Sequence, residues 1–188
     1  MLRIRPVDPE GASPEQRAAH DATVRDHGRM TNMKSTLLHS MPAFHALMEW
    51  YTLRDVVQPF LGDRLVTLFS HAISTETDCL ICSTFFRGIL IDSGENPDEL
   101  SLDAREQLVV DFGRCLSQPF ARVPDELYTR LAAEFSDEQL VALTAFGAMM
   151  VATNVFNSVL AIDLDEYLEP YRGAAAVRLK PDPQVKGR

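Results

Sequence analysis

A chain of 188 residues suits one domain with a full core, and 46% hydrophobic with 24% charged residues is ordinary for a globular protein. Its 27 acidic against 18 basic residues give a formal net charge of −9, with no basic stripe to neutralise phosphates, which argues against non-specific nucleic-acid binding. No uninterrupted apolar run approaches the ~18 residues of a membrane span, and Met1 to Gly11 carries arginines without the apolar stretch of a signal peptide, so the expectation is a soluble, cytoplasmic protein with no membrane partner.

Residues 1–29 read as a Pro-rich, charged arm followed by a polar helix. Ser13-Pro14-Glu15-Gln16 is a capping box with Pro at the first helical position, and Gly28 ends the helix. That helix has little apolar face (Ala18, Ala22, Val24) and must lean on a neighbour. Residues 30–172 form the helical domain. Asn32 to Leu38 is a short helical turn, and Ser40-Met41-Pro42 restarts the chain. Phe44, Leu47, Met48 and Tyr51 then share one helix face, and Pro59 and Gly62 close that segment. Asp63 is placed to cap a helix whose core stripe is Leu65, Leu68, Phe69, Ala72 and Ile73, while Thr67, His71 and Ser74 share another face.

Phe85, Phe86, Ile89 and Leu90 supply the next apolar side, and Gly94 and Pro97 mark a loop. Ser101 is read as the cap of a helix burying Leu108, Val109, Phe112, Cys115 and Leu116, stopped by Pro119. Pro124 opens a short helix with Leu127 and Leu131 inward. Ser136-Asp137-Glu138-Gln139 is a second capping box. It opens the longest helix, running to about Ile162, with Leu140, Leu143, Gly147, Val151, Val155 and Ser158 on one face. Asp165 to Tyr171 is a last turn, and residues 173–188 form a basic, flexible tail. No run alternates at period two for long enough to make a strand, so the class is all-α.

The chemistry concentrates in Thr75-Glu76-Thr77-Asp78-Cys79-Leu80-Ile81-Cys82-Ser83, where two of the three cysteines form a C-x-x-C pair between two helical runs. With Asp78 as N-cap, Cys79 falls at the first helical position and Cys82 near the fourth. Unpaired N–H groups and the positive end of the helix dipole stabilise a thiolate there. In a cytoplasmic protein such a pair signals redox or metal rather than a structural disulfide. Cys115 stands alone, and the five histidines (His20, His27, His39, His45, His71) contain no H-x-x-x-H pair, so neither a metal nor an organic cofactor is expected. The competing account of the pair is two inert buried cysteines. Asn154 and Asn157 need hydrogen-bond partners if buried, whether by capping a helix, bridging subunits or serving catalysis.

Several segments together resemble the carboxymuconolactone decarboxylase/alkyl hydroperoxidase D (AhpD-like) superfamily over roughly residues 30–170. They are Thr31-Asn32-Met33-Lys34-Ser35-Thr36-Leu37-Leu38-His39-Ser40, the helix leading to Cys79-Leu80-Ile81-Cys82, and Leu102-Asp103-Ala104-Arg105-Glu106. Near the end stand Phe135-Ser136-Asp137-Glu138-Gln139-Leu140-Val141, then Asn154-Val155-Phe156-Asn157, then Ala161-Ile162-Asp163-Leu164-Asp165-Glu166. The resemblance implies a helical homo-oligomer. In the peroxidase branch a thiolate takes an oxygen from a small hydroperoxide, the other cysteine resolves the sulfenic acid as a disulfide, and an external dithiol protein returns the electrons. By that resemblance Cys82 is the attacking thiol and Cys79 the resolving one. A thioredoxin-like site would reverse the order.

The branch also uses a Glu about a dozen residues before the pair and a His four residues after its second Cys. Here those positions hold residues near Thr67 and Phe86, so the usual proton relay is absent. The replacement hypothesis is His71, one turn after Thr67, acting as base or, as a cation, lowering a thiol pKa. Two alternatives stay open. One is an enzyme of the decarboxylase branch acting on a small carboxylated lactone, with Arg87 and His71 as the nearby groups for a carboxylate. The other is a non-catalytic helical oligomer.

Overall fold

The computed structural model describes residues 3–173, which contain helices, turns and loops and no strand. In chain order they form α1 (Pro14–His27), α2 (Asn32–Leu37), α3 (Met41–Met48), α4 (Trp50–Leu61) and α5 (Asp63–Glu76). Then come α6 (Leu80–Asp92), α7 (Ala104–Ser117), α8 (Asp125–Glu134) and α9 (Asp137–Leu160). Short 3-10 helices occupy Pro119–Ala121 and Glu166–Tyr171. The expected tail, apart from Gly173, lies outside the described residues.

The helix starts follow local chemistry. Ser13 with Gln16 and Ser136 with Gln139 form reciprocal capping boxes, as expected, and Gly28 ends α1 at φ 79°. Two caps differ from the sequence expectation. Asp103, not Ser101, caps α7, because only Asp103 has a glutamate three residues on to return the bond. Gly62, not Asp63, precedes α5. At φ 80° it serves both the end of α4 and the start of α5, leaving Asp63 as the first helical residue.

α5 is the centre of the molecule. Every side chain from Leu65 to Thr75 is buried, with α4, α6, α7 and α9 packed around it. Phe69 stacks between Phe112 and Phe146, at ring separations of 6.3 and 6.0 Å. Two glycines let α7 and α9 come this close. A Cβ on Gly113 would lie 2.9 Å from the Phe69 ring, and one on Gly147 would lie 2.9 Å from the same ring and collide with Leu116.

α9 buries Leu140, Leu143, Phe146, Gly147, Met150, Thr153, Asn154 and Asn157, so its inner face differs from the expected one, and Val155 and Ser158 face outward. At 100° per residue, the four-residue steps from Leu143 to Val155 drift around the helix, whereas alternating steps of three and four keep to one side. That side ends in two asparagines, which hydrophobic periodicity overlooks. By length and composition alone α9 is long and apolar enough to cross a membrane, but it lies here against α4, α5 and α7.

The amino-terminal arm lies on the helices: Arg3 N donates to Leu160 O (3.2 Å) and Val7 N to Ser35 O (3.1 Å). The polar α1 leans on α2 through Gln16 Nε2, which donates to Leu38 O. Asn32 N donates to Asp165 Oδ1 at 2.8 Å, joining two segments on which the family resemblance rested.

Candidate active site

The turn between α5 and α6 places the two thiols. Asp78 takes a left-handed conformation (φ 52°), one that Asp tolerates better than most residues. Cys79 N then donates back to Ser74 O at 3.0 Å. Because Asp78 is spent on the turn, Cys79 itself is the N-cap, and Cys82 is the third residue of α6. The thiols therefore sit one position earlier relative to the helix than the sequence suggested, with the Cys79 sulfur nearer the open N–H groups.

α9 closes over this turn with its two buried amides. Asn154 Nδ2 donates to Thr77 Oγ1 (2.8 Å) and Ser74 Oγ (3.4 Å), holding the end of α5. Asn157 Nδ2 lies 3.2 Å from Cys82 Sγ and 3.9 Å from Cys79 Sγ. The pair shares a proton. The Cys82 thiol donates to the Cys79 sulfur, and this bond, with the backbone N–H of Cys82, the Asn157 amide and the N–H of Ile81, outweighs burial and lowers the Cys79 pKa to about 7. Cys82 moves well above the ordinary value, because ionising it would forfeit that same bond and bury a second charge.

Access divides the two. Cys82 lines a cavity of about 920 Å³, and Cys79, 1% exposed, does not. Trp50, Val66, Ile81 and Phe86 contribute apolar wall to the same cavity. Both residues at the positions of the missing relay, Thr67 and Phe86, also line this cavity. Neither moves protons: Phe86 is a hydrocarbon ring, and Thr67 Oγ1 donates to its own helix at Asp63 O.

His71 is 5% exposed on α5 and is not part of the cavity wall. Burial, reinforced by Arg87, lowers its pKa to about 4, and its Nδ1 has no hydrogen-bond partner. It is neutral at pH 7, so no imidazolium is present to lower a thiol pKa. Arg87 is engaged with Asp98 through bonds of 2.7 and 2.6 Å and does not line the cavity either, so the two groups named for a lactone's carboxylate, His71 and Arg87, both lie outside it. Glu76 turns to Gln118 and Arg114. Cys115 is half-buried against the core, and burial raises its pKa. Among the described residues, no cluster of three or more His, Cys, Asp or Glu is placed to hold a metal ion.

Other cavity residues had no role assigned from the sequence, although Lys34 and Asp165 lie in segments that carry the family resemblance. Lys34, Trp50 and the neighbouring pair Asp165 and Tyr167 come from three separate segments and meet only in the folded chain.

The helix arrangement matches solved structures closely. The debrominase Bmp8 superposes with a TM-score of 0.73 at 16% identity, covering 89% of this chain and 95% of that one. The chain has the AhpD-like fold. A peroxidase-related protein from Silicibacter sp. TM1040 matches with a TM-score of 0.69 at 16% identity, covering 87% of this chain and 93% of that one. A cysteine-to-alanine variant of Bmp8 in complex with 2,3,4-tribromopyrrole gives 0.71 at 15% identity, over 89% and 94% of the two chains. No protein-family model and no curated protein matches the sequence.

Proposed function

We propose that the protein is a thiol-dependent reductase of the AhpD-like kind, with Cys82 attacking and Cys79 activating and then resolving. One observation carries this: two hydrogen-bonded thiols at a helix start, one with a lowered pKa, the other lining a cavity. The Cys79 thiolate replaces the missing relay as base.

With an organic hydroperoxide the steps balance as follows. The Cys82 sulfur attacks the terminal oxygen of R–O–OH as its proton passes to Cys79. The O–O bond breaks, leaving Cys82–SOH and RO⁻. The alkoxide takes the proton back from Cys79, giving ROH. The Cys79 thiolate then displaces hydroxide from the sulfenic acid, forming the disulfide. An external dithiol reduces the disulfide and becomes a disulfide itself.

The size and aromatic wall of the cavity suit an organic substrate better than hydrogen peroxide. They also favour a second reading, in which the electrophile is a halogen on an aromatic ring. The aryl halide, Cys82–SH and Cys79–S⁻ then give the dehalogenated ring, the disulfide and halide. A debrominase of the same fold is in keeping with it.

The test is brief, low-dose cumene hydroperoxide followed by alkylation and intact mass, with and without dithiol. The expected outcome is joint loss of two hydrogens from Cys79 and Cys82, reversed by dithiol, far faster than for free thiols. Thiols that stay reduced, or oxidise only at the rate of a free thiol, overturn the proposal.

A further inference from the structure

The cavity also holds a separated pair of opposite charges. Lys34, on α2, is 5% exposed, and Asp165, just before the last 3-10 helix, is 8% exposed, and both line the cavity. The Lys34 ammonium has three donors, yet among the described residues its one hydrogen bond is a long one to Arg29 O at 3.4 Å, with the Tyr51 ring 5.2 Å away. Asp165 Oδ1 accepts from Asn32 N, but its buried Oδ2 has no partner. Buried polar groups are normally satisfied, so a donor and an acceptor short of partners, on two residues that line one cavity, point to a group that meets both.

The charges narrow the chemistry. A carboxylate placed against Lys34 would face Asp165. A cation placed against Asp165 would face Lys34, and Arg29, whose guanidinium lies 3.8 Å above the Tyr167 ring, adds to that repulsion. A neutral group that both accepts and donates offends neither. Ring contacts also lead from this pair to the thiols. Tyr51 meets Trp50 edge-on at 5.0 Å, Trp50 meets Phe86 at 6.4 Å, and Phe86 stands one turn beyond Cys82.

We propose that the Lys34–Asp165 end of the cavity binds a hydroxyl-bearing aromatic head group, its oxygen accepting from the Lys34 ammonium and its O–H donating to Asp165 Oδ2. That this head group belongs to the substrate rests on the thiol-reductase function proposed above. The binding itself does not.

The closing experiment therefore uses unreactive probes on the reduced, full-length protein, with no peroxide. Trp50, the one tryptophan of the chain, lines the cavity and reports binding by fluorescence. The probes are para-isopropylphenol, cumene and para-isopropylbenzoate. The phenol is expected to bind about tenfold or more tighter than cumene, as for a pair of satisfied buried bonds, and tighter than the benzoate. Bound phenol should also slow alkylation of Cys82, placing it in this cavity. Lys34→Met and Asp165→Asn should each weaken phenol binding towards that of cumene and leave cumene unchanged.

Equal binding of phenol and cumene means that water fills the gap, and overturns the proposal. So does a benzoate that binds tightest, or no binding by any probe. These rankings need no variant to fold. A phenol preference with thiols inert to peroxide would remove the reductase and keep the head-group site. Rapid thiol oxidation without the preference would do the reverse.

Discussion

Asn157→Leu removes the one side-chain amide that reaches both sulfurs, at nearly constant volume. The Asn157 amide lies 3.2 Å from Cys82 Sγ and 3.9 Å from Cys79 Sγ, and it helps lower the Cys79 pKa to about 7. At pH 7 that thiol is therefore about half ionised. A hydrogen bond of this kind is worth ~1–1.5 kcal/mol net, and one pKa unit is ~1.4 kcal/mol, so the midpoint should rise by up to ~1 unit. The thiolate fraction at pH 7 then drops from about half to about a tenth, roughly fivefold. The midpoint should stay below the ordinary value of 9.0, because the first cause of the shift, the Cys82 thiol, survives. The assay is the ultraviolet absorbance of thiolate against pH in reduced protein, with circular dichroism to establish that the variant is folded. Asn157→Asp, which sets a carboxylate beside the sulfurs, should raise the midpoint further. A folded Asn157→Leu protein with an unchanged or lower midpoint would refute the assignment of the amide to the thiol pair.

Three further outcomes are expected. His71→Gln should leave the thiolate midpoint where it is, since His71 is already neutral at pH 7; a shift as large as that of Asn157→Leu would return the histidine to the site. Cys79, ordinary at 9.0 and about 7 when folded, loses its proton earlier folded than unfolded. Its contribution to the stability of the reduced protein is present in full above the unfolded pKa and is lost as pH falls through about 7, so urea midpoints should rise between pH 7 and 9. Cys79→Ser should flatten that rise, and an unchanged slope would count against the shift. Gly147→Ala should cost ~1–3 kcal/mol in urea denaturation, because the new methyl meets the Phe69 ring and Leu116 inside a filled core. A neutral effect would mean that α7 and α9 have room to part.

Much of this architecture was written locally. Capping boxes at Ser13 and Ser136, the glycines at 28 and 62, and the apolar stripe of α5 depend on residues within a few positions of one another, so they are legible along the chain. The same holds for Cys79 and Cys82, whose spacing and place at a helix start are local facts. Even there, local geometry moved the cap by one residue. The choice of a left-handed Asp78 is made jointly with the bond from Cys79 N to Ser74 O, and no cap propensity records that.

The site is a different matter. His71 shares a helix face with Thr67, but a face says nothing about what packs on it, and burial leaves that ring uncharged. Asn157 reaches the Cys82 sulfur from 75 residues away, and Lys34 and Asp165 come to line one cavity from still farther apart in the chain. Sequence by itself determined where the helices start and stop and that two thiols sit at a turn between them, because those are interactions between near neighbours. Only the tertiary structure decided which thiol holds the charge, which meets the cavity, and which polar groups stand open beside it. Those depend on desolvation and on partners brought together by packing, and neither is recorded in the order of residues.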